Sequence, residues 1–83
     1  MALRPDAFVA DGWICMGYGG TDLSRVEISA GSSEWQPAYL DWHNGDRVAK
    51  VRPHTLAIGD MHGAVTVSLR VDGIVVATGR VTL

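Results

Sequence analysis

Cys15 and the histidines His43, His54 and His62 are the residues here that could pair as nucleophile and base. A thiolate activated by an imidazole would be their chemistry. Cys15, however, stands in the apolar run Trp13-Ile14-Cys15-Met16, where a small buried hydrophobe is the expected state. The histidines lie 11 and 8 positions apart, whereas zinc ligands come as close pairs. Asp41, His43 and Asp46 surround one turn and could attract a cation, although acidic residues at turns need no ligand to explain them. The segment Gly17-Tyr18-Gly19-Gly20-Thr21-Asp22 is superficially similar to a phosphate-binding glycine loop. It lacks the Lys-Ser/Thr ending, and no helix follows whose N-terminus could hold an anion. The chain is therefore expected to carry no catalytic residue, cofactor or metal, and not to be an enzyme.

Aromatic residues offer a different chemistry, that of contact. Three tryptophans and two tyrosines can pack a core, anchor a protein interface or stack on sugars. Trp35 and Trp42, expected on opposite faces of one strand, should place at least one ring in the core. Trp35 and Tyr39 are the aromatic interface candidates.

The elements that must position these residues are strands. Eighty-three residues make one domain whose core is small, burying roughly 60–65 % of the unfolded surface. Small folds compensate with disulfides, metals or association. A single cysteine and the absence of zinc spacing leave association, either with itself or with a larger assembly. Net charge −2 and scattered basic residues give no footprint for nucleic acid. No run approaches the ~18 apolar residues of a membrane span, and the N-terminus does not read as a signal peptide. A cytoplasmic, non-secreted protein is expected, consistent with a lone thiol. Arg outnumbers Lys six to one with a single Asn, a bias expected of a GC-rich genome.

Alternation of period two, broken by turns every eight to twelve residues, predicts an all-β domain over 1–83 with no substantial helix. Residues 1–10 are expected to form an extended arm, with Leu3 a contact candidate within it. Strands are expected over 13–18, 24–29, 35–42, 47–52, 65–71 and 74–83. Asn44-Gly45 predicts a type I′ hairpin, because both central residues need positive φ. Counting outward sets Trp42 opposite Arg47, Leu40 opposite Ala49 and Ala38 opposite Val51. Asp72-Gly73 predicts a second such turn, with Ile74 opposite Val71 and Val76 opposite Leu69. A bulge at Gly79 is expected to bring Val81 and Leu83 onto the core face and leave Val75 and Ala77 outward.

The stretch Leu56-Ala57-Ile58-Gly59-Asp60-Met61-His62-Gly63-Ala64-Val65-Thr66-Val67 resembles the E–F corner of immunoglobulin-like domains. Val65 stands where that family carries its corner tyrosine, and the disulfide pair is missing. The run from Gly63 to Gly73, continued by Val76-Ala77-Thr78-Gly79-Arg80-Val81-Thr82-Leu83, resembles the closing hairpin of β-sandwich modules in bacteriophage tail and baseplate proteins. The resemblance covers about a third of the chain. It implies an immunoglobulin-like sandwich of six to seven antiparallel strands, acting as a small virion component: a capsid decoration protein or tail-associated module. Its partners would be other protein subunits or further copies of itself, assembled in the host cytoplasm. An inhibitor of a host enzyme or defence complex and a carbohydrate-binding module are the alternatives.

Overall fold

A computed structural model describes residues 7–21, 23–31, 33–53 and 63–83. They form eight strands: β1 (Phe8–Ala10), β2 (Trp13–Gly17), β3 (Val26–Ala30), β4 (Gln36–Pro37), β5 (Tyr39–His43), β6 (Asp46–Val51), β7 (Ala64–Val71) and β8 (Ile74–Thr82). No α-helix occurs among the described residues. Two antiparallel four-stranded sheets result, ordered β1-β2-β6-β5 and β4-β3-β7-β8. Each sheet is built from pairs of consecutive strands, and the chain alternates between the sheets pair by pair.

Three of the connections are two-residue turns of one kind. Asp11-Gly12, Asn44-Gly45 and Asp72-Gly73 all hold positive φ at both positions, 53° and 80°, 51° and 86°, 50° and 87°. That is the backbone whose twist matches the strands it joins, and a side chain longer than Asn or Asp resists it. The first of these turns corrects the expectation of an extended arm over 1–10. Phe8, Val9 and Ala10 pair with Cys15, Ile14 and Trp13, and Ala7 is buried in the core.

The Asn44-Gly45 hairpin has the expected register, with Trp42 opposite Arg47, Leu40 opposite Ala49 and Tyr39 opposite Lys50. The expected strand 35–42 is, however, two strands. β4 pairs with β3 in one sheet and β5 with β6 in the other, and the chain changes sheets at Ala38. The Ala38 N–H donates to the Val26 carbonyl at 2.9 Å, so Ala38 does not face Val51 in a ladder. This split, together with β1, raises the strand count from the expected six or seven to eight.

The inward faces of both sheets supply one core. Ile14, Met16, Ala49 and Val51 come from the first sheet, and Val26, Ile28, Val67 and Leu69 from the second. Tyr18 is the one aromatic side chain in it, so the expectation that Trp35 or Trp42 would be core is overturned. The core is aliphatic because these sheet faces carry β-branched and small residues at period two, which interdigitate without ring-sized gaps. Ser29 is buried as well, and its hydroxyl donates to the Ser33 carbonyl at 2.8 Å.

Ile74 faces Val71 as expected, but the bulge does not lie at Gly79. The register shifts between Leu69 and Arg70, so Val75 faces Arg70, Ala77 faces Leu69, and Val76 is the extra residue. Gly79 stays in regular pairing, buried opposite Val67. Two corrections follow from this one shift. Ala77 packs against the core instead of pointing outward, and Val76 does not face Leu69. Val81 is in the core and Leu83 against it, as expected.

Candidate interaction surface

The phase shift at Val76 builds an exposed apolar corner. Ile74, Val75 and Val76 are 68 %, 53 % and 57 % exposed, three consecutive hydrophobes on the terminal strand of the second sheet. A regular ladder would alternate them in and out. The bulge beside the Asp72-Gly73 turn lets all three reach solvent. The end of the molecule they occupy is fixed by a clamp between loops. The Arg25 N–H donates to Asp72 Oδ1 at 2.8 Å, and the Asp72 N–H returns to the Arg25 carbonyl at 2.8 Å. Leu23, almost fully exposed, lies two residues from that clamp.

The other candidates distribute differently. Tyr39 is exposed on β5, but its ring meets Trp13 edge-on, with centroids 5.6 Å apart and planes at 85°. Trp35 is half-buried outside the strands, under the Arg70 guanidinium, 4.4 Å from its ring centroid. Arg70 is held there by Glu27 Oε1, which accepts from Nε at 2.9 Å and lies 2.8 Å from Nη2. Neither aromatic joins the β8 corner in any contact described, and Ala77 is turned from it. Val75 is the residue that reaches it as expected. Leu3, His54, His62 and the segment resembling an E–F corner up to His62 lie outside the described residues. Ile74 and Val76 were missed because unbroken alternation assigned both to the core. Three consecutive β-branched residues after a tight turn were the available signal.

Every tryptophan is capped by a cation. Trp42 carries Arg47 at 5.0 Å, and Trp13 carries Lys50 at 4.5 Å and Arg52 at 4.2 Å. Such contacts turn exposed rings into fixed parts of the surface. Lys50 also pairs with Asp41 Oδ2 at 2.5 Å. That hydrogen bond, with a second from the Trp42 N–H, holds the Asp41 carboxyl below the usual carboxylate range.

The described residues that could do chemistry are engaged within the fold. Cys15 is 3 % exposed, and its thiol points toward the Trp13 carbonyl, 3.8 Å away. Burial pushes that thiol above its ordinary value, with nearby Lys50 pulling it partly back. The His43 ring packs on Phe8 with centroids 4.8 Å apart. Asp41 is engaged by Lys50, and among the described residues no group of three His, Cys, Asp or Glu side chains is placed to hold a metal ion. The Gly17–Thr21 loop wraps Tyr18, whose hydroxyl donates to the Thr21 carbonyl. Compared with protein-family models, curated proteins and solved structures, the chain matches none.

Proposed function

We propose that this chain is a structural protein that works through protein–protein contacts, with the apolar corner of β8 as its docking surface. The observation that carries the reading is the run Ile74-Val75-Val76, more than half exposed at all three positions on a sheet edge. Contiguous apolar surface of this kind marks interaction sites, whereas scattered exposed hydrophobes do not. A domain this small also gains most from association. The finer form of the proposal follows the resemblance of the closing hairpin: an immunoglobulin-like sandwich serving as a capsid decoration or tail-associated component of a bacteriophage particle. A sugar-binding role is the weaker alternative, because cations lie over the tryptophans and the Trp13–Tyr39 pair is T-shaped, not a coplanar platform.

The test is Val75→Glu. Its side chain points outward opposite Arg70, so circular dichroism should match the wild type. Assembly, read by sedimentation for self-association and by incorporation into purified particles, should weaken at least about tenfold through the desolvated charge. Undiminished assembly would move the interface elsewhere. Absence of the protein from particles, with assembly otherwise intact, would remove the virion reading and leave the interaction reading standing.

A further inference from the structure

Which backbone groups of β8 are free follows from its ladder. Gly63 and Leu83 exchange both of their N–H···O=C bonds, at 3.1 and 3.0 Å. Antiparallel ladders alternate between residue pairs that exchange bonds and pairs that do not. Val65–Val81 and Val67–Gly79 are therefore bonded pairs, while Ala64–Thr82, Thr66–Arg80 and Ser68–Thr78 are not. The far side of β7 agrees, since the Thr66 carbonyl turns away from β8 to accept from Gly31 at 2.8 Å. The N–H and C=O groups of Thr78, Arg80 and Thr82 thus point away from β7, and among the described residues no further strand pairs there. β1 lies beside β8 in the other sheet without pairing to it. The other edge strands are shorter: three residues in β1, two in β4 and five in β5, against nine in β8. Short edges resist strand addition, and a long one invites it.

Side-chain charge decides what this edge can accept. Thr78, Arg80 and Thr82 are all exposed. Among the described residues the Arg80 guanidinium has no hydrogen-bond or ion-pair partner. Two copies paired so that all three outward positions match would set Thr78 against Thr82 and Arg80 against Arg80. The two guanidiniums would then stand on directly opposed positions, about 5 Å apart at Cβ, where like charges destabilise. Toward the turn, the bulge at Val76 interrupts any longer register. The edge is thus guarded against its own copy and open to a carboxylate.

We propose that the Thr78–Thr82 edge of β8 takes an extended segment of a different protein by antiparallel strand addition, with an acidic residue of that segment facing Arg80. Main-chain hydrogen bonds supply the affinity, and the central charge supplies the choice of partner. The inference rests on the reading of β8 as a docking strand and names the chemistry of what docks.

Two capped synthetic peptides test it by NMR titration of the full chain: Thr-Val-Thr-Glu-Thr-Val-Thr and its counterpart with lysine at the centre. The expected result is amide shifts centred on Thr78, Arg80 and Thr82, with the glutamate peptide binding roughly fivefold or more tightly at low salt. Arg80→Thr should abolish that preference. It should also make the chain self-associate on sedimentation, because the repulsion between copies is gone. Equal binding of the two peptides, no binding of either, or self-association of the wild type with amide shifts centred on Thr78, Arg80 and Thr82 would each overturn the proposal, the last by placing a second copy on the edge. If the peptides fail while Val75→Glu still blocks assembly, this inference falls and the interaction reading survives. If Val75→Glu is also silent, both fall.

Discussion

Tyr18 and Gly20 compete for one space: a Cβ added at Gly20 would lie 2.6 Å from Tyr18 Cζ and 2.8 Å from Cε1. The ring cannot retreat. It is buried in the core, and its hydroxyl donates to the Thr21 carbonyl. The glycine-rich loop is therefore shaped by the tyrosine it encloses. Gly20→Ala should cost about 1–3 kcal/mol through overpacking, measured by urea denaturation. A midpoint equal to the wild type's would mean that the loop can shift freely and that Tyr18 does not fix it.

Gly45 occupies the second position of the β5–β6 turn at φ 86°. A β-branched side chain there is strained whatever the surrounding space, and nothing lies within 4 Å of its would-be Cβ. Gly45→Val should lower stability by about 1–2 kcal/mol. Because the space is open, the loss would report backbone strain alone. Thermal melting within error of the wild type would contradict the turn geometry.

The Cys15 thiol titrates above its ordinary value of 9.0, chiefly because burial disfavours the thiolate. A folded-state value raised above the unfolded one adds stability that is fully present below pH 9 and is lost as the pH rises past it. At pH 8 the native protein should react far more slowly with Ellman's reagent than the urea-unfolded chain. Equal rates would place Cys15 at the surface. Above pH 9 the melting temperature should fall more steeply in the wild type than in Cys15→Ala.

Val75 and Ala77, two residues apart in sequence, should respond oppositely to the same substitution. Val75 faces Arg70 on the outward side, whereas Ala77 faces Leu69 and packs on the core. Ala77→Glu should cost about 2 kcal/mol or more by burying an unpaired carboxylate. Val75→Glu should melt close to the wild type. Parallel melting curves for the two variants would return the bulge to Gly79.

The hairpins were legible in the sequence wherever a two-residue turn joined strands long enough to alternate. Asn44-Gly45 yielded the pairing of Trp42 with Arg47 and of Leu40 with Ala49, because a turn of known length fixes the register as far as no bulge intervenes. The same dipeptide logic applied to Asp11-Gly12, but β1 has three residues, too few to show a period. The sheet change at Ala38 was hidden because Gln36–His43 alternates as one strand would. Partner choice, not local pattern, divides it. The bulge at Val76 was hidden for a related reason. Glycine marks many bulges, yet here Gly79 sits in regular pairing and the irregularity falls among β-branched residues. Of the two interaction candidates on β8, Val75 stays outward opposite Arg70, whereas Ala77 turns to the core. The apolar corner itself depends on the bulge and could not be counted out from the turn.

The pairing of strands in consecutive couples has a kinetic meaning. β1–β2, β5–β6 and β7–β8 each close across a turn of two residues, a step that takes on the order of microseconds. Among the described residues the hairpins join into sheets through β2–β6 and β3–β7, where Ile14 meets Val51 and Val26 meets Val71. These two seams span most of the chain and carry the loop-closure cost, so they set the folding barrier. Until they zip, the hairpins expose the valines and isoleucines that later face each other across the core. The slow interval in the life of this chain is therefore the one in which it is most prone to aggregate.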